Sequence, residues 1–431
     1  MKIKLTRLEK SWVLYDVGNS AFTLLVSTII PIYFDYLAEQ QNLSSVSYLA
    51  FWGYAVSIAT LLVALSGPAL GTISDSEGLK KPIFLGSILL GAVSCVALGL
   101  TTAWLMFLIV FVLAKVAYSS SLIFYDSMLP DITTEERMDT VSAQGFAWGY
   151  IGSCIPFIAC LGLVMGGDSL GLTLQQSMAI SFGLVALWWV LNSLPFLKKY
   201  KQVHSAPRRK HAVADSFISL CRTIKNIRKE AEIFWFLLAF FFYIDGVYTI
   251  IDMATAYGKA LGLDSTGLLL ALLLTQFVAF PCCILFGRLT ARISSDKLIT
   301  VCIMAYLGIT IFAVFMNQQL HFWILAVLVG MFQGGIQALS RSYFAKIIPA
   351  EKAGEYFGIM DICGKGASFL GTALVSVISQ LTGSINKGVG AIAILFVIGI
   401  LLFRKAISVR SNTSDKNNTE DEDICLQEQK V

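Results

Sequence analysis

The chain has 431 residues, 56% of them apolar and only 14% charged, with a net charge of +4. An average soluble domain carries roughly 25% charged residues, so these numbers exclude a soluble enzyme, a nucleic-acid binder and a disordered protein. What remains is an all-α polytopic membrane protein, and a mean hydropathy of +0.72 agrees with that class.

A spanning helix uses about 20 residues. Hydropathy predicts twelve spans, near 11–37, 47–73, 82–102, 103–127, 141–166, 177–197, 232–256, 266–288, 298–316, 322–344, 354–380 and 386–403. The runs are continuous rather than alternating, so the spanning elements are helices. The segment before span 1 is basic, but the apolar stretch after it is too long for a cleaved signal peptide.

Span 1 carries Asp16 and Asn19 on one face near its start. The loop between spans 2 and 3 reads Gly71-Thr-Ile-Ser-Asp75-Ser-Glu-Gly78-Leu-Lys80-Lys81. In it, Gly71 lets two helices approach closely and Asp75 is placed to cap a helix or pair with a charge. Gly78 allows a tight turn, and Lys80 and Lys81 hold the loop on the inner side. Such a network can close one state of a transporter and break in the other. Span 4 carries Lys115 and, at its inner end, Asp126.

A connector at 198–231 follows span 6 and is rich in lysine and arginine, with a short interfacial helix expected near 214–229. A basic run of this kind sets topology and can meet anionic lipid headgroups. Span 7 carries Asp245 and Asp252, spaced i, i+7 on one face. Span 11 carries Asp361 and Lys365, spaced i, i+4 so that they can pair. The tail beyond 405 is polar and acidic, and its composition leads to an expectation of disorder. The expected organisation is a six-helix bundle at 1–197, the connector at 198–231, a second bundle at 232–405 and the tail at 406–431.

Lysine and arginine sort strongly between the two sets of loops. One set holds the N-terminal segment, Lys80, Lys81, Arg137, the connector, Arg288, Arg292, Lys297, Arg341, Lys346, Lys352 and the tail; the other holds Lys259 and Lys387. Both termini are therefore expected to be cytoplasmic. The two halves also repeat weakly. SSSLIFYDSMLP at 119–130 and SRSYFAKIIP at 340–349 each precede a polar loop and a glycine-rich helix. Two six-helix repeats related by an axis along the membrane normal are the plan of the major facilitator fold.

A charge at the bilayer centre costs at least about 2.5–3.5 kcal/mol, so intramembrane ionisable residues are functional candidates. Apart from Lys387 at the outer edge of span 12, spans 3, 6, 9 and 12 carry none, as expected of helices that face lipid. Lys115, Asp245, Asp361 and Lys365 lie near the midplane and are the candidate substrate-binding residues. Asp16 and Asp126 are the candidate proton carriers. The histidines are His204, His211 and His321, none deep in an apolar run, and the nine cysteines show no metal-ligand spacing. No cofactor or metal is expected.

Several segments taken in order resemble the vacuole-effluxer branch of the major facilitator superfamily, whose eukaryotic members are autophagy-related permeases. They are Tyr15-Asp16-Val-Gly-Asn19-Ser20-Ala21-Phe22, Tyr125-Asp126-Ser-Met-Leu129-Pro130 and Gly145-Phe-Ala-Trp-Gly149-Tyr150-Ile-Gly152. They continue with Tyr243-Ile-Asp245-Gly246-Val-Tyr-Thr249-Ile250, Gln337-Ala-Leu-Ser340-Arg341-Ser342, and Glu355-Tyr-Phe357-Gly358 with Gly364-Lys365. The chain departs from the family's pattern at Val17-Gly18 and at Asp126. The resemblance implies twelve spans and solute export, with amino-acid efflux the role attributed to vacuolar members. The compact loops look like those of a bacterial member, which implies a plasma-membrane location; a eukaryotic member would sit in the vacuolar membrane.

The expected function is secondary transport by alternating access of a small organic solute, amino acids being the favoured class, with protons as the candidate coupling ion. Midplane lysines suit a carboxylate and the aspartates suit an ammonium group. Two alternatives are an exporter of amphipathic drugs or organic anions and, from another class, a non-transporting receptor or scaffold. The expected partners are the solute and membrane lipids, with no nucleic acid, for a monomeric protein that is not an enzyme.

Overall fold

The computed structural model describes residues 4–43, 45–207 and 212–428. Side chains are described there except at 45, 46, 48, 49, 212–217, 255, 256, 259, 260, 265, 266, 269, 365–369 and 411–428. The N-terminal half runs through α1 (Arg7–Leu24), α2 (Ile30–Gln40), α3 (Ser45–Ser74), α4 (Lys80–Leu100), α5 (Trp104–Ser127), α6 (Leu129–Ile132), α7 (Glu135–Gly166) and α8 (Leu174–Lys199). A connector helix, α9 (Ala212–Asn226), follows. The C-terminal half holds α10 (Ala231–Ala260), α11 (Ser265–Leu289), α12 (Ser295–Val314), α13 (Gln319–Ile347), α14 (Ala353–Thr382) and α15 (Ile385–Glu428).

Local chemistry explains several of these boundaries. Thr6 and Glu9 form a reciprocal capping box at the start of α1, with Oγ1 accepting from the Glu9 amide at 3.2 Å and Glu9 Oε2 from the Thr6 amide at 2.7 Å. A π turn at Leu25–Ile29 joins α1 to α2 just before Pro31, which has no N–H to give the preceding turn. Gly78 adopts φ 73° in the turn between α3 and α4, a conformation that favours glycine.

Among the described residues, eleven helical spans are long and apolar enough to cross a membrane, and α14 contributes a shorter apolar segment at Leu370–Thr382. Twelve spanning elements were expected; α14 is continuous over 30 residues and takes the remaining place. The main contacts between the halves are α3 with α14, α7 with α11 and α13, and α5 with α14. By contrast α4, α8, α12 and α15 pack chiefly within their own halves. Their outer faces expose Leu89, Val93, Leu187, Leu191, Met304, Ile311, Val397 and Leu401, as suits contact with lipid.

The chain leaving α8 folds back onto the α3–α4 loop. The Ala206 amide donates to the Asp75 carbonyl at 2.8 Å and the Ala206 carbonyl accepts from Glu77 at 3.2 Å, which makes an isolated parallel bridge between Ser76 and Ala206. Gln202 Oε1 accepts from the Gly78 and Lys80 amides, while its Nε2 donates to the Ser74 and Asp75 carbonyls. Asp131 ties the same strap to α6 by accepting from the His204 amide at 2.9 Å. At the other terminus, helical backbone continues to Glu428, where tail composition suggests no fixed structure. Propagating an established helix adds a hydrogen bond per residue without a new nucleus.

Candidate functional site

The halves are joined at the end of the bundle that carries the basic loops. Asp75 sits there fully buried. Its Oδ1 accepts from the Gly354 amide at 2.8 Å and its Oδ2 from the Glu355 amide at 2.9 Å, so it caps α14 from the other half. Free amides and the helix dipole at an N-terminus favour a carboxylate. Lys80 Nζ, also buried, lies 3.2 Å from Asp75 Oδ1. Burial pushes the Asp75 carboxyl above its usual range, against the pull of Lys80 and the two amides. Gly71 makes the clasp geometrically possible: a Cβ there would lie 2.1 Å from the Gly354 carbonyl oxygen. Gly71, Asp75 and Lys80 thus meet in one clasp, and Gly78 makes the turn between α3 and α4 with its amide on Gln202. Lys81 is half-buried beside it.

A second lock centres on Arg341 of α13. Its Nη1 is 2.9 Å from Asp126 Oδ1 on α5 and 3.7 Å from Asp16 Oδ2 on α1. Its Nε donates to Ser142 Oγ and its Nη2 to the Ser142 carbonyl, both at 2.9 Å. The guanidinium lies 4.3 Å from the Phe146 ring and 4.7 Å from the Trp12 ring, within cation–π range. Gly145 leaves room for it, since a Cβ there would be 3.0 Å from Nη2. The planar fork of arginine suits this mixture of carboxylate, carbonyl and ring partners in a way lysine does not.

The same end is closed further by α7. Asp139 Oδ2 pairs with Lys346 Nζ at 2.6 Å, and its Oδ1 accepts from Ser342 Oγ at 2.6 Å. Thr140 Oγ1 donates to the Gly287 carbonyl at 3.0 Å. The Cys283 thiol, buried, faces the Ala143 carbonyl at 3.2 Å. Gly287 against α7 mirrors Gly71 against α14, which gives the weak repeat a spatial meaning.

The midplane candidates divide. Lys115 and Asp361 are half-buried; Asp252, toward the outer end of its span and not one of those candidates, is exposed. The charges of Lys115 on α5 and Asp252 on α10 act on one another across the halves. Asp361 on α14 acts likewise on Asp126 and on Tyr118. Lys115 Nζ lies 6.0 Å from the Tyr118 ring centroid. Asp245 stands apart: it is fully buried between α10 and α14, and its partners are Thr249 and Gly371 of its own half. The Lys365 side chain is outside the described residues.

Reading charge by loop places Arg341 among topology determinants, and the structure corrects this: it is a buried cross-bundle residue only 4% exposed. Its position before the end of span 10, six residues inside α13, was the available signal. Asp139, Ser142 and Lys346 were not anticipated either. No group of three or more His, Cys, Asp or Glu residues that could hold a metal is present among the described residues.

The sequence pattern of the family described as "Vacuole effluxer Atg22 like" matches residues 6–417. The chain belongs to this family. The Atg22-like chain is 42% identical over 407 residues to an uncharacterized MFS-type transporter, YxiO of Bacillus subtilis (strain 168), covering 93% of this chain and 95% of YxiO. It is 25% identical over 300 residues to autophagy-related protein 22 of Coccidioides immitis (strain RS), covering 62% of this chain and 48% of that protein. Among solved structures it resembles the human organic anion transporter MFSD10, with a TM-score of 0.71 at 14% identity over 92% of this chain and 99% of that one. It also resembles the transporter FucP in the outward conformation, with a TM-score of 0.68 at 14% identity over 93% of this chain and 97% of that one. The Atg22-like chain therefore has the major facilitator fold and is a multi-pass membrane transporter rather than an enzyme.

Proposed function

We propose that the protein exports small organic solutes of the amino-acid class by alternating access, coupled to protons. The carrying observation is a set of partly accessible charges of both signs within the spans, Lys115 from one half and, from the other, Asp361 with Asp252 toward the outer end of α10. An amino acid presents a carboxylate and an ammonium group, which such a set can receive together. Lys365, four residues beyond Asp361 on α14, is assigned to the same site by this reading. The Asp75 and Arg341 locks close the basic end, and the excess of lysine and arginine there makes that end cytoplasmic. The compact loops and the bacillary relative favour the plasma membrane.

Solute-driven counterflow tests this reading. Proteoliposomes containing the full chain are loaded with unlabelled solute and given labelled amino acids or organic anions, with and without a pH gradient. Amino-acid exchange is expected, and Lys115→Ala and Lys365→Ala are expected to abolish it. If both variants transport normally, the site assignment is wrong. The half-buried Lys115 also suits organic anions, the class named for MFSD10, and exchange confined to the anion pool would favour that reading.

A further inference from the structure

Asp245 lies at the seam where α10 meets α14, and its residue surface is fully buried. Its Oδ1 accepts from the Gly371 amide at 3.0 Å and from the Thr249 hydroxyl at 3.3 Å. Its Oδ2 is buried and has no hydrogen-bond partner among the described residues. The seam leaves no gap for water beside Oδ1, because a Cβ on Gly371 would meet Thr249 Oγ1 and come within 2.8 Å of Oδ1. The next residue, Gly246, packs on the Phe396 ring of α15.

Among the described side chains, the ionisable groups on the surrounding helices do not supply a counter-charge. On α10 they are Tyr243, whose hydroxyl bonds Ser340, then Tyr248 and Asp252. On α12 they are Cys302 and Tyr306, the latter stacked on Phe396. On α15 the facing stretch around Phe396 and Gly399 holds none before Arg404. On α14 they are Asp361, Cys363 and Lys365. Of the described residues, only Gly371 and Thr249 act on the Asp245 carboxyl. Lys365 precedes Gly371 by six residues, which puts it about 120° around the helix and about 9 Å along it. Asp16 and Asp126 differ in kind, since Arg341 faces both.

We propose that Asp245 is a proton-binding site, with the proton on Oδ2, and that it rather than Asp16 or Asp126 carries the coupling proton. An ionised carboxylate in a dry seam without a counter-charge is strongly disfavoured, and neutralisation is the usual outcome. Oδ1 already accepts two donors, so the O–H bond forms at Oδ2. A metal cation does not fit, because its coordination sphere needs several oxygen acceptors and the groups that meet this carboxylate are an N–H and an O–H. Release breaks the Oδ2–H bond and passes the proton to water admitted when α10 and α14 part. The amino end of α14 is the one clasped by Asp75, so proton release and opening of the basic end involve the same helix. The coupling role rests on the transport reading above, whereas protonation itself does not.

Infrared spectroscopy of the full chain in proteoliposomes, slightly above neutral pH, reads the two separately. The wild type is expected to show a carboxylic-acid C=O band that Asp245→Asn removes and that Asp16→Asn and Asp126→Asn retain. Thr249→Val, which deletes one donor to Oδ1, is expected to move that band to higher frequency. Absence of the band in the wild type, its survival in Asp245→Asn, or its loss in Asp126→Asn would overturn the proposal. Should Asp245→Asn not fold, an unmoved band in Thr249→Val overturns it as well. Flux that ignores the pH gradient while the band behaves as expected counts against proton coupling, not against the site.

Discussion

Arg341 and Asp126, 215 residues apart in the chain, meet at 2.9 Å across the two halves of the bundle. The pair is held in a nest of Trp12, Tyr125 and Phe146 rings. Removing one member of a buried pair leaves the other charge uncompensated, at a cost of about 3–5 kcal/mol. That penalty falls only on the state in which the basic end is closed.

Arg341→Gln is therefore expected to favour opening of the basic end. Cys283 provides the readout, because its thiol is buried in the α7–α11 seam. In a chain keeping only Cys283, maleimide labelling is expected to rise at least about tenfold, since about 1.4 kcal/mol already shifts an equilibrium tenfold. Arg341→Lys retains charge without the fork and should label at an intermediate rate. Unchanged labelling in both would show that Arg341 is not a lock.

Asp75→Ala removes the cap on α14 and strands the buried Lys80 charge. Loss of an N-terminal cap costs about 0.5–2 kcal/mol by itself. Increased Cys283 labelling is expected, with Asp75→Asn milder because its amide oxygen still accepts one hydrogen bond. Equal labelling of wild type and Asp75→Ala would rule out the clasp.

Gly71→Val tests the close approach without touching a charge. Its Cβ would run into the Gly354 carbonyl, which is backbone and cannot turn aside. Overpacking of this kind costs about 1–3 kcal/mol, charged only when α3 and α14 touch. The variant should remain folded by circular dichroism, lose counterflow and label readily at Cys283. Wild-type flux would show that the contact does not form during the cycle.

Gln202→Ala tests the strap that pins the α3–α4 loop. It leaves the Gly78 and Lys80 amides without their side-chain acceptor. Each hydrogen bond is worth about 0.5–1.5 kcal/mol. A lower thermal midpoint and faster proteolysis of the 200–207 segment are expected. No change in either would mean that the strap contributes nothing to stability.

Much of the architecture was legible in the chain because hydropathy is a local property. Long apolar runs must become helices in lipid, where each backbone group needs an internal partner. The nearly uncharged spans at α4, α8, α12 and α15 were legible in the same way, and the glycine–aspartate–glycine loop from its residue pattern. The candidate site was legible only in part. A sequence reveals that Lys115, Asp245 and Asp361 lie near mid-membrane, since depth is set by residue count. It does not reveal which face each one presents, because that depends on how neighbouring helices rotate and pack. Only the tertiary structure put Asp245 in a dry seam and left Lys115 accessible. Only it turned Arg341 from a loop charge into a lock, since its partners come from α1, α5 and α7, all in the other half. The scarce charges thus determined by themselves that this is a polytopic membrane protein, and packing decided what each charge does. Electrostatic energy depends on distance and burial, and neither can be read from spacing along the chain.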